Sequence, residues 1–175
     1  AQAGASRSRV GHLATADAAG TPSVVPVCYA MLAVSDSPSI VIAIDEKPKG
    51  DPRALQRVRN IVARPEVSLV VDDYSEDWGR LAWVLLRGRA RMVEPGEPGH
   101  APAVAAVRAK YQQYTHMRLE HLPVQLADVE DLRHVAVVEG AQPHHRVALE
   151  RLGGDHLDVR VRRAQRAARA HQRAA

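Results

Sequence analysis

Eight residues between positions 47 and 83 have the types and spacing to act together on one ligand. Lys47, Lys49, Arg53, Arg57 and Arg59 put five cations within thirteen positions, and Trp78, Arg80 and Trp83 follow. Lys and Arg gathered at the start of a helix, beside backbone N–H groups with no intrahelical partner, make a phosphate site. Tryptophans offer a planar ring both face and edge contacts. The set therefore suits a ligand that carries phosphate and a flat ring. The plainer reading of the arginines is a solvated helix face.

Other chemistries lack their residues. The chain has no Walker loop, no Gly-x-Gly-x-x-Gly and no His-Glu-x-x-His. A single cysteine, Cys28, excludes thiolate zinc sites, and it reads as a small buried hydrophobe in a strand. His116, His121, His144 and His145 read as loop histidines. Asp72, Asp73, Glu76 and Asp77 read as a solvated turn. No nucleophile, base and orienting group can be assembled, so any hard chemistry belongs to a cofactor.

The elements that must position these residues follow from pattern. Val10–Ala16 is a strand, Asp17–Gly20 a hairpin turn with Gly at positive φ, and Thr21–Ala30 the return strand. Pro26 inside that strand marks an edge or a bulge. Ile40–Ile44 is apolar throughout. Asp51 as N-cap and Pro52 in the first turn start a helix running to Ala63, with Leu55, Val58, Ile61 and Val62 as its apolar stripe. Strands follow over Val67–Val71 and Trp78–Ala90. A second helix spans Ala101–Tyr111, and Leu122–Val129 and Val135–Val138 complete the sheet. This pattern predicts a mainly β chain: six antiparallel strands in a small barrel with helices outside.

At 175 residues the chain has room for one domain with a real core, and with no Phe that core is aliphatic. The net charge of +4 lies in the tail: residues 1–138 hold 16 Lys+Arg against 16 Asp+Glu, and 139–175 hold eight Arg against four acids. A neutral globular part argues against a nucleic-acid surface, and the basic tail alone keeps that partner open. Residues 1–138 are therefore expected as the cofactor-binding domain, and 139–175 as a disordered or weakly helical Arg/Ala/His-rich extension. The absence of a long apolar run and the lone cysteine predict no membrane contact and a cytoplasmic location.

Taken in order, Lys47-Pro48-Lys49, Leu55-Gln-Arg57-Val-Arg59-Asn60-Ile61, Pro65-Glu-Val67-Ser-Leu69, Asp77-Trp78-Gly-Arg80-Leu-Ala-Trp83-Val84 and Gly88-Arg-Ala90-Arg91 resemble the pyridoxamine-phosphate-oxidase-like flavin-binding split barrels. Within them the chain is most similar to the actinobacterial branch that uses the deazaflavin coenzyme F420. The resemblance covers about Val10–Tyr114. It implies a six-stranded split β-barrel, a homodimer with the cofactor in a groove between subunits, and hydride transfer to an unidentified small molecule. It places phosphate at Lys49 and Arg57 and the ring along Val25, Pro26, Val27, Ile44 and Asp45, with Trp78, Arg80 and Trp83 lining the groove. FMN is the alternative cofactor, and a cofactor-carrying protein without catalysis the alternative role. The chain departs from the family at Leu132 and Val135, where tryptophans are expected.

Overall fold

Residues 8–33, 38–44, 51–77, 82–135, 145–153 and 156–163 are described by a computed structural model. Its strands are β1 (Gly11–Ala16), β2 (Pro22–Val27), β3 (Ala30–Ala33), β4 (Pro38–Ala43), β5 (Glu66–Asp73), β6 (Ala82–Val93), β7 (Val124–Val135), β8 (His145–Gly153) and β9 (His156–Arg163). Helix α1 (Gln56–Ala63) lies between β4 and β5, and α2 (His100–Lys110) between β6 and β7. Short 3-10 turns occupy Pro52–Ala54, Gln112–His116 and Leu119–His121.

All pairings are antiparallel, in the order β2-β1-β5-β6-β7-β4-β3-β9-β8. β2 and β3 stand first and seventh in that order, yet only Cys28 and Tyr29 separate them in the chain. The sheet must therefore curl until its first and seventh strands meet. β2 and β3 act as one strand bent at a corner, so six strands circle the barrel, as the sequence pattern predicts. The corner is held by Tyr111, whose hydroxyl accepts from the Tyr29 N–H at 3.0 Å and lies 2.8 Å from the Tyr29 carbonyl.

Side-chain alternation sorts residues to the two faces. Leu13, Met31, Ile40, Ile42, Leu69, Val84, Leu86 and Val129 fill the barrel, together with Ile61 from α1. Ala30, Leu32, Val41, Ala43, Val124 and Leu126 point outward and are covered by Val104, Val107 and Tyr111. Each fully buried Leu contributes roughly 1.5–3 kcal/mol, so an aliphatic core without Phe is sufficient. The first hairpin closes as its residues require. Asp17 accepts from the Thr21 N–H at 2.8 Å, and Gly20 sits at φ 91°.

Several expectations are corrected. The helix expected over 52–63 divides at Leu55, whose ψ of 132° is extended, into a 3-10 turn and α1. Val62 is not on its buried face: it is 74% exposed, and Asn60 is 1% exposed in its place. The barrel end that receives α1 carries Thr15 and Gln125, which select polar partners over a purely apolar stripe. β3 is a separate strand beyond the expected end at Ala30. His145–Gly153 and His156–Arg163 are not helix or coil but the paired strands β8 and β9, and β9 joins the sheet at Met31↔Leu157 and Leu32↔His156. The alternation in Val147, Leu149 and Val159, Val161 is the strand signal that the arginine-rich composition obscured. The expectations for 136–144, 154–155 and 164–175 lie outside the described residues.

Candidate functional site

Helix α1 closes one end of the barrel, and its polar residues make the seal. Asp51 starts the segment by accepting from the Arg53 N–H at 2.9 Å, an Asx turn of the kind Asp favours. Asn60 Nδ2 donates to Thr15 Oγ1 at 2.9 Å, and Gln56 Nε2 donates to Asn60 Oδ1 at 2.7 Å. On the other side of the helix, Arg57 Nε donates to Gln125 Oε1 at 3.3 Å. Gln125 is on the inward face of β7, opposite Ile42 of β4 and Met92 of β6. Gln125 is neutral, and this bond is one of the contacts that hold the half-buried Arg57. Arg53 is exposed and pairs with Glu94 at 2.9 Å, and Arg59 bonds Gln56 at 2.6 Å. Among the helix arginines, Arg57 alone is turned toward the barrel mouth.

The expected ring-binding strands have different neighbours: β2 pairs with β1, and β4 with β3 and β7. The β3–β4 ladder pairs Ala30 with Val41, and each step back along β3 is a step forward along β4. Beyond the Cys28–Tyr29 corner the chain leaves that ladder, and Val27 pairs with Gly11 of β1. Val27 and Ile44 are buried and Val25 packs against the barrel interior, while Pro26 is exposed on the outer face. A ligand outside the barrel would meet the Pro26 ring and strand backbone rather than the valine side chains. Asp45, Lys47, Lys49, Trp78 and Arg80 lie outside the described residues.

Trp83 is not brought to this end. It pairs with Asp72 and Val135, whereas Met92, nine residues along β6, pairs with Gln125. At about 3.3 Å per residue the two levels are about 30 Å apart along the strand.

An open groove of about 410 Å³ lies elsewhere, lined by Ala14, Ala16, Glu66, Ser68, Arg87 and Gly88 among others. It is a depression where small side chains on β1, β5 and β6 adjoin longer ones, and it holds none of the expected site residues. Two carboxyls are held below their ordinary range, the partly exposed Asp17 by the Thr21 N–H and the exposed Glu120 by Arg108. Among the described residues there is no group of three or more metal-ligating side chains. No helix there is long and apolar enough to cross a membrane.

The sequence reading missed Thr15, Asn60 and Gln125. Their available signal was a polar residue in an otherwise apolar inward-facing set, as Gln125 is beside Ala127 and Val129.

The family model of pyridoxamine 5'-phosphate oxidase matches residues 1–142. The chain belongs to that family. Its members typically bind FMN or flavin-like ligands. No curated protein matches the chain. Among solved structures, a heme-binding protein from Mycobacterium smegmatis is 24% identical with a TM-score of 0.55, covering 74% of this chain and 50% of its own. The chain thus spans half the length of that relative. A conserved hypothetical protein from Mycobacterium tuberculosis is 20% identical with a TM-score of 0.56, covering 73% and 76%. The heme storage protein of Vibrio cholerae is 15% identical with a TM-score of 0.51, covering 73% and 86%. These likenesses establish the split-barrel fold.

Proposed function

We propose that the protein binds a phosphate-bearing flavin-type cofactor at the α1 end of the barrel, and that this cofactor is the deazaflavin F420 in an oxidoreductase acting on a small molecule. The observation that supports the reading is Arg57, a cation held half-buried over the barrel mouth by a neutral amide. Two further cations, Lys47 and Lys49, lie in the sequence between the described residues Ile44 and Asp51.

Arg57 and Lys49 would hold the phosphate, and backbone near Pro26 and Ile44 would support the ring. When bound, the cofactor supplies hydride transfer. The chain supplies orientation and exclusion of water. Trp83, at the far end of β6, would reach such a site only from a second subunit, so the active form is proposed as a homodimer. FMN in the same place is the second reading, favoured by the family match.

Calorimetric titration of Lys49→Ala, Arg57→Ala and Arg53→Ala with F420 and with FMN tests this. A lost charge-assisted contact is worth about 1.5–3 kcal/mol. Lys49→Ala and Arg57→Ala should each weaken one cofactor roughly ten- to a hundredfold, and the exposed Arg53→Ala should change little. Three equal, flat results would refute the phosphate assignment. Because two of the structural relatives are described as heme proteins, heme is titrated alongside. Heme binding with no response to either flavin would overturn the reading.

A further inference from the structure

Gln125 is 2% exposed, yet its amide nitrogen has no hydrogen-bond partner among the described residues. Only the amide oxygen can accept from the Arg57 N–H, so the bond to Arg57 fixes which way the amide faces. The nitrogen is left buried on the β7 face that Gln125 shares with Ala127 and Val129, opposite Ile42 of β4. A buried donor without an acceptor opposes folding. Leu or Met would fit the same inward position of β7 without that penalty, as its apolar neighbours do. Local packing therefore does not account for Gln at this position, whereas its one hydrogen bond does.

We infer that Gln125 is a positioning residue for phosphate binding, fixing the Arg57 guanidinium at the barrel mouth at the expense of an unsatisfied buried amide. The inference rests on the phosphate reading given above. Its neutrality matters as much as its reach. A carboxylate in the same place would grip Arg57 more firmly but cancel the charge that a phosphate must meet.

The test combines Gln125→Leu, Gln125→Met, Gln125→Glu, Arg57→Ala and the double variant Arg57→Ala/Gln125→Leu. Each is melted thermally and titrated with FMN and with F420, using inorganic phosphate as competitor. Gln125→Leu and Gln125→Met should melt no lower than the parent, and up to a few degrees higher, while binding about tenfold more weakly. Gln125→Glu should also bind more weakly. In the Arg57→Ala background Gln125→Leu should cause no further loss, since the amide acts through that arginine. Loss of melting temperature together with affinity in both apolar variants would show a packing role and overturn the inference. Parental affinity in Gln125→Leu with a weakened Arg57→Ala would overturn it while leaving the phosphate reading intact. Parental affinity in Arg57→Ala would overturn both.

Discussion

Single atoms decide two points of this fold. Gly88 on β6 is opposite Val129 where the β6–β7 register shifts, and a Cβ there would stand 1.9 Å from the Asp128 carbonyl oxygen. That neighbour is backbone and cannot swing aside. Gly88→Ala should therefore separate the two longest strands and cost about 3–5 kcal/mol. At roughly 2–4 °C per kcal/mol for a chain this size, the melting temperature should fall by about 10 °C. An unchanged melt would mean that the strands yield at the bulge. Asp17 works through charge: the Thr21 N–H holds its carboxyl below the ordinary range. Its folded pKa is then lower than the unfolded value near 3.9, so its stabilisation is complete above that value. It is lost as pH falls through the lowered folded pKa. The melting gap between the parent and Asp17→Asn should be present at pH 7 and close below about pH 4; a gap that persists to pH 2 would exclude the carboxylate as its source. Residues of this kind are only partly legible in sequence. Gly20 and Asp17 announce a turn by type, but Gly88 is one glycine among eleven until its opposite strand is known.

At the scale of elements, local pattern was enough wherever a segment answers to its own periodicity. β1, β4, β5 and α2 fall close to their expected bounds because alternation or helical spacing coincides with burial there. The pattern fails where a distant element sets the environment. Val62 looked apolar and inward, but the helix is rotated by Thr15 and Gln125, which come from strands 45 and 65 residues away from Asn60. β3 was hidden because the chain turns at Cys28–Tyr29 without Gly or Pro, held instead by Tyr111 on the far side of α2. The rotation of α1 is open to a paired measurement. Asn60→Ala removes the donor to Thr15 and the acceptor for Gln56, and should cost about 1–3 kcal/mol in urea unfolding. Val62→Lys should stay within about 0.5 kcal/mol of the parent. Equal losses would place Val62 against the barrel after all.

The whole molecule raises a question that one protomer cannot answer. α2 covers the outer face of β3 and β4, but on the β1–β2–β5–β6 side Val24 is 62% exposed and Pro26 is open. Trp83 is half-buried on the outer face at one end of β6, and Arg57 approaches the strand's other end, about 30 Å away at strand rise. If both serve one cofactor, they come from different subunits, and a two-fold dimer carries two such composite sites. The neutral charge of residues 1–138 leaves little net repulsion between two copies. The expected result is a dimer by sedimentation, with Arg57→Ala and Trp83→Ala each weakening cofactor binding. Complementation then separates shared sites from private ones. When the two variants are co-expressed with different tags, a mixed dimer has one site with both native residues and one with neither. Random pairing should restore about a quarter of the sites to parental affinity, and purification through both tags should raise that share to about half. A site within one protomer would give no parental sites in any mixture, because every chain lacks one of the two residues. Weak binding by both single variants and by the doubly tagged dimer would sink the shared groove.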